Sequence, residues 1–128
     1  MADRLVEAAV AVREKAYAPY SHYQVGAAIE TTTGEIFAGC NVENASYGLT
    51  ICAERGAVVQ AVAHGFTAFR RIVVATGSEP PGAPCGACRQ FLREFGPELE
   101  VLAVGPQSKR SWLMAELLPG AFGPENLR

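Results

Sequence analysis

The chain has 128 residues, a formal net charge of −2, and 49% apolar against 19% charged residues. That length predicts one domain with a core large enough to fold without disulfides, and the charge supplies no basic field for a nucleic-acid backbone. No stretch approaches the roughly 18 apolar residues of a membrane span, and the charged N-terminal segment lacks the continuous apolar run of a signal peptide, so a cytoplasmic protein with no membrane partner is expected.

From Ala2 to Ala16, the apolar residues Leu5, Ala8, Ala9, Val12 and Ala16 recur at helical spacing, and Pro19 should stop the helix. Tyr23 to Glu30 alternates, with Tyr23, Val25, Ala27 and Ile29 on one face, and predicts a strand. Thr33 and Gly34 form a turn, and Glu35 to Gly39 returns as the second strand of a hairpin. Cys40 to Leu49 has no periodicity and reads as a polar and aromatic loop, the kind of segment that carries binding groups on a rigid scaffold.

Thr50 is the expected N-cap of a helix reaching His64 and closed by Gly65, with Ala53, Ala57, Val58, Ala61 and Val62 as its small apolar stripe. Arg71 to Thr76 reads as a strand buried on both faces, followed by a Pro/Gly loop over 77–84. A helix from Cys85 or Gly86 to Phe95 comes next, then a strand over Glu100 to Val104. A loop to Arg110, a short helix over Trp112 to Leu118 and an irregular tail complete the chain. The fold class is α/β: a three-layer α/β/α sandwich whose mixed sheet has about five strands, with a parallel crossover between the last two strands read from the sequence.

Four cysteines in a reducing compartment are expected to be metal ligands or free thiols rather than disulfides. Cys85 and Cys88 lie three apart at a helix start, so their thiolates can share one ion. Cys52 sits at the start of another helix, two residues before Glu54. Side chains two apart do not share a flank, so Cys52 and Glu54 can serve one site only if the ion lies off the helix end. Three thiolates and one free carboxylate suit a catalytic zinc: three protein ligands hold the ion, and an acid moves protons for its water.

Helix N-termini favour thiolates, yet three of them on divalent zinc leave one excess negative charge. Arg55 and Arg89, each next to a site residue, are the candidates to offset it. Two competing readings stand beside this one. The first is a closed structural site that adds Cys40, although eleven residues separate Cys40 from Cys52 rather than the usual two to four. The second is a redox CxxC that leaves Cys52 and Glu54 idle. Cys40 itself is expected to be a free thiol at a strand end.

The arrangement C-x-E…P-C-x-x-C matches the zinc-deaminase signature with cysteine in the histidine position. The wider text YAPYSHYQVGAAI, GCNVENASYG, ICAERGAV, PCGACRQ and ELLPGAFGPENL resembles the small homotetrameric cytidine deaminases of pyrimidine salvage, over about Ala16 to Leu127. The resemblance implies one catalytic domain over 1–128 that deaminates cytidine and deoxycytidine, with one Zn²⁺ on Cys52, Cys85 and Cys88 and with Glu54 as the proton carrier. It places Asn41 and Glu43 on the ribose, backbone near Ala45 and Ala53 on the pyrimidine edge, and Arg55 on the thiolates. Tyr23 stands where the family usually has phenylalanine. The resemblance also implies that Tyr47 and Phe122 belong to the boundary between subunits, Phe122 reaching a neighbour's site. Read from the residues alone, Asn41 and Glu43 could instead organise a turn, and Phe122 could pack on its own subunit.

Overall fold

The computed structural model describes residues 3–127. Helix α1 (Arg4–Arg13) is followed by β1 (Gly26–Thr31) and β2 (Ile36–Cys40), then α2 (Ala53–Ala63), β3 (Phe69–Ala75), α3 (Gly86–Arg93), β4 (Glu100–Val104), β5 (Lys109–Leu113) and the single-turn α4 (Met114–Leu117). One five-stranded sheet has the order β2-β1-β3-β4-β5. Only β3 and β4 run parallel, joined through α3; the other pairs are antiparallel.

The sheet is covered on both faces, which is why its inner strands are almost continuously apolar rather than alternating. Leu5 and Ala9 of α1 pack on Ala28, Val73 and Ala75. On the other face, Ala57, Val58 and Ala61 of α2 meet Ala27, Ile29 and Ile72, with Leu92 of α3 and Met114 of α4 extending the layer. Small residues allow close approach there. A Cβ added at Gly39 would lie 2.4 Å from the Ala57 backbone nitrogen, so α2 rests directly on β2 and its first turn is fixed relative to the sheet.

Several boundaries differ from the sequence reading, each for a local reason. The expected helix start at Ala2 lies outside the described residues. Helix α1 ends at Arg13, not Ala16, because Tyr17 is drawn into a bridge with Val42, its N–H donating to the Asn41 carbonyl at 2.9 Å. Residues 23–25 are not ladder strand, because the Asn41 side chain takes the Val25 N–H and donates to the Tyr23 carbonyl, both at 2.9 Å.

Thr50 is not the cap of α2. Ile51 is held extended by a bridge to Val42, and the cap falls to Cys52. Val62, assigned to the buried stripe, is 43% exposed, one turn past the edge of the buried face. Residues 109–113, divided between a loop and a helix in the sequence reading, form β5, and α4 is reduced to one turn. Lys109, Arg110 and Ser111 disguise an edge strand, which needs polar residues to discourage pairing with other chains. The tail is not wholly irregular: Pro124–Leu127 is a 3₁₀ turn, tied to α3 by an Arg93–Glu125 ion pair of 2.7 Å.

Asp3 both caps α1, accepting from the Leu5 and Val6 N–H groups, and pairs with Arg71 at 3.0 Å. The Arg71 hydrogen bond holds its carboxyl below the ordinary 3.8. A carboxyl lowered on folding contributes stability above its ordinary pKa and loses it as pH falls through the lower, folded value. Asp3→Ala is therefore expected to cost about 1 kcal/mol at neutral pH. The deficit should shrink in urea melts repeated below pH 3.8.

Candidate active site

The two helix starts singled out in the sequence meet. Cys52 is the N-cap of α2, and Cys85 is the N-cap of α3 with Cys88 at its third helical position. The three Sγ atoms lie within 4.8 Å of one another, and Cys52 and Cys85 are 3.9 Å apart. That spacing rules out a disulfide, which needs about 2.05 Å. Two sulfurs on one tetrahedral zinc, each about 2.3 Å from it, would stand about 3.8 Å apart, so the donor set fits zinc in kind, number and spacing. The fold is also compatible with the condition posed by Cys52 and Glu54. Cys52 is the cap and Glu54 lies in the first turn, and both line the same cavity.

Glu54 is only 5% exposed and lines a cavity of about 230 Å³ together with Cys52 and Cys85. Burial, reinforced by the neighbouring Cys52 charge, pushes its carboxyl up to about 7, in the range where a group can both take and give a proton at neutral pH. A hydrogen bond from Cys88 and then one from Arg55 lower the Cys52 thiol to about 5. The same bond, with burial, pushes the fully buried Cys88 up.

Arg55 donates from Nη2 to Cys52 Sγ at 3.7 Å and to the Thr50 carbonyl at 3.1 Å, while its buried Nε has no partner among the described residues. It thus faces the thiolate charge directly. Arg89 does not: it donates to the Pro84 and Leu117 carbonyls and holds backbone. Cys40 ends β2 as a free thiol and takes no part in the cluster.

The family model described as the cytidine and deoxycytidylate deaminase zinc-binding region matches residues 1–104. The chain belongs to this family. A probable cytidine deaminase of Dictyostelium discoideum is 48% identical over 127 residues, 98% of this chain and 86% of that one. The cytidine deaminase of Sporosarcina psychrophila is 42% identical over 98% of this chain and 93% of its own. The crystal structure of cytidine deaminase from Burkholderia pseudomallei superposes with a TM-score of 0.90 at 52% identity, covering 95% of this chain and 100% of that one.

Against that family background, the other expected site residues divide into two groups. Tyr23, Asn41 and Ala53 line the same cavity as Glu54. Asn41, 8% exposed, spends part of its amide on Val25 and Tyr23, which leaves one N–H and one lone pair for anything in the cavity. Glu43 stands in an adjoining recess that shares Thr50, its carboxylate accepting from the Tyr20 N–H at 3.0 Å and from Ser21. Ala45 is an exposed bend, Tyr47 is 75% exposed against Tyr20, and Phe122 is 58% exposed. Within one chain, none of these last three reaches the cavity.

Sequence reading missed Thr76, Gly82 and Ala83, which line the cavity together with Val25, Thr50 and Val74. The usable signal was positional: Thr76 follows the carboxyl end of β3, where open α/β sheets place their ligands. Ser78 was missed too. Its hydroxyl lies 3.0 Å from both Tyr23 Oη and Thr76 Oγ1, so the hydroxyl that distinguishes Tyr23 from phenylalanine is satisfied by protein, not turned loose into the cavity.

Proposed function

We propose that the chain is a single catalytic domain over 1–128 that hydrolyses cytidine and 2′-deoxycytidine to the uridine products and ammonia, as a cytoplasmic enzyme of pyrimidine salvage. The carrying observation is the convergence of three thiols within 4.8 Å at the edge of a cavity that the Glu54 carboxylate also lines. Cys52, Cys85 and Cys88 would hold Zn²⁺, with Arg55 offsetting the thiolate charge. When bound, zinc supplies the Lewis acid that makes a water nucleophilic at neutral pH.

Glu54 takes one proton from the attacking water and passes it to the ring nitrogen beside the amine-bearing carbon; it then takes the remaining proton from the hydroxyl now on that carbon and delivers it to the amine, which leaves as ammonia as the carbonyl forms. Tyr23 walls the ring and backbone at Ala53 reads its edge; Ala45, outside the cavity of its own chain, would join that edge only across a subunit boundary. Asn41, through its spare amide capacity, and Glu43 hold the sugar and orient the base. The cavity suits a free nucleoside. The net charge of −2 gives no purchase on a polynucleotide backbone.

Tyr47 and Phe122, exposed in one chain, serve a homotetramer in which Phe122 completes a neighbour's cavity. Val59 and Val62 on the outer face of α2, both exposed, support that reading. Sedimentation should show a tetramer, and a fully active monomer would refute it.

The deciding assay follows cytidine, deoxycytidine and a cytosine-containing single-stranded oligonucleotide in parallel. Both nucleosides should be deaminated and the oligonucleotide left intact; oligonucleotide turnover with inert nucleosides would replace this reading with polynucleotide editing. Cys40→Ser is expected to keep zinc content and turnover at parental values. Loss of zinc in that variant would instead point to a closed four-cysteine site.

A further inference from the structure

The segment 77–84 leaves β3, forms no regular structure, contributes Gly82 and Ala83 to the cavity wall, and ends on Cys85. A segment that carries a metal ligand without its own hydrogen-bond ladder must be fixed from outside. At its far end, Arg89 Nε donates to the Pro84 carbonyl at 2.8 Å. At its near end, the Ser78 hydroxyl joins Tyr23 and Thr76.

The middle is held by the turn between β4 and β5. One carboxylate, that of Glu79, accepts the N–H of Ser108 at 3.1 Å, the N–H of Gln107 and the Ser108 hydroxyl. Arg110 of β5 adds a bond to the Pro81 carbonyl at 3.3 Å. Gly105 makes the approach possible, since a Cβ there would lie 2.6 Å from the Ser78 carbonyl oxygen.

We infer that Glu79 is a positioning residue for the metal centre: through its carboxylate, the β4–β5 turn clamps the loop that delivers Cys85 and forms one wall of the cavity. Glu79 is exposed and buries nothing, so its contacts go to placement rather than to the core. The Ser108 hydroxyl and two backbone N–H groups hold its carboxyl below the usual range, which keeps the clamp charged. Charged acceptors make the stronger hydrogen bonds. The inference rests on the zinc-deaminase reading above and adds to it a device outside the cavity.

The test measures zinc release from the loaded protein to a chromogenic chelator, and KM and kcat for cytidine, in Glu79→Ala, Glu79→Gln and the control Asp3→Ala. Groups bonded directly to a metal ligand typically govern affinity by about 10- to 100-fold, and Glu79 acts one step further out, through the loop. Glu79→Ala should therefore weaken zinc retention severalfold, short of about 10-fold, and raise KM severalfold, while kcat moves less. Glu79→Gln, which keeps an acceptor oxygen, should fall between it and the parent. Asp3→Ala should lower thermal stability while leaving zinc retention and KM unchanged.

Zinc retention and KM at parental values in Glu79→Ala would overturn the clamp. If that variant fails to fold, Ser108→Ala decides in its place: weaker zinc retention supports the clamp, and parental retention with parental KM overturns it. The zinc arm needs no turnover. A parent protein that holds zinc yet leaves cytidine intact therefore defeats the proposed function without deciding the clamp.

Discussion

Glu54→Gln is expected to keep its zinc and lose turnover by about 10²- to 10⁴-fold, the usual contribution of a positioned acid–base group. The substitution preserves shape in a side chain that is 5% exposed, and it removes only the ability to carry a proton. KM should change by no more than a few-fold, because the sugar and ring contacts assigned to Asn41, Glu43 and Tyr23 are untouched. Zinc should remain near one per chain by elemental analysis, since Glu54 is not among the three converging thiols. A variant that still turns over at the parental rate would remove Glu54 from the mechanism, and one that loses zinc would make it a ligand.

Cys88→Ser should have the other large effect, through the metal itself. Cys88 is wholly buried behind Cys52 and Cys85, at the third position of α3. A serine hydroxyl stays protonated at neutral pH and is a poor zinc ligand, so metal content should fall from about one per chain to a small fraction of that. Activity should fall at least about 10³-fold, since water then keeps its bulk acidity instead of being acidified by the ion. Cys40→Ser removes an equally free thiol from the end of β2 and should do neither. That contrast separates loss of a ligand from loss of a cysteine. Parental zinc content in Cys88→Ser would break the three-thiol assignment.

What could be read in the sequence followed from how local each signal was. The CxxC spacing made Cys85 and Cys88 legible as a pair within one short stretch, while Cys52 and Glu54 joined them through the deaminase signature rather than through a local pattern. The demand that the ion sit off the end of α2 came from helix geometry alone, and the cap position of Cys52, with Glu54 lining the same cavity, is compatible with it. The sheet core was legible for β3 and β4, where β-branched runs declare burial on both faces.

The failures have two causes: a polar edge pattern that hides a strand, and partners that lie across a loop or outside the chain. Strand β5 is an edge whose only ladder is β4, and its lysine and arginine hide the pattern. Thr50 looked like a cap until Ile51 paired with Val42, across the loop. Asn41 sat in a segment without periodicity, yet its amide replaces part of the β1 ladder. Tyr47 and Phe122 are exposed and do not line the cavity of their own chain, so no pattern within one subunit could assign them a role.

The most direct test follows cytidine spectrophotometrically while zinc is quantified, before chelation, after it and after zinc is returned. The proposed function predicts about one zinc per chain, turnover that falls in proportion to the metal removed, and recovery when zinc is restored. Full turnover in protein stripped of metal, or zinc-replete protein inert toward cytidine and deoxycytidine, would contradict it.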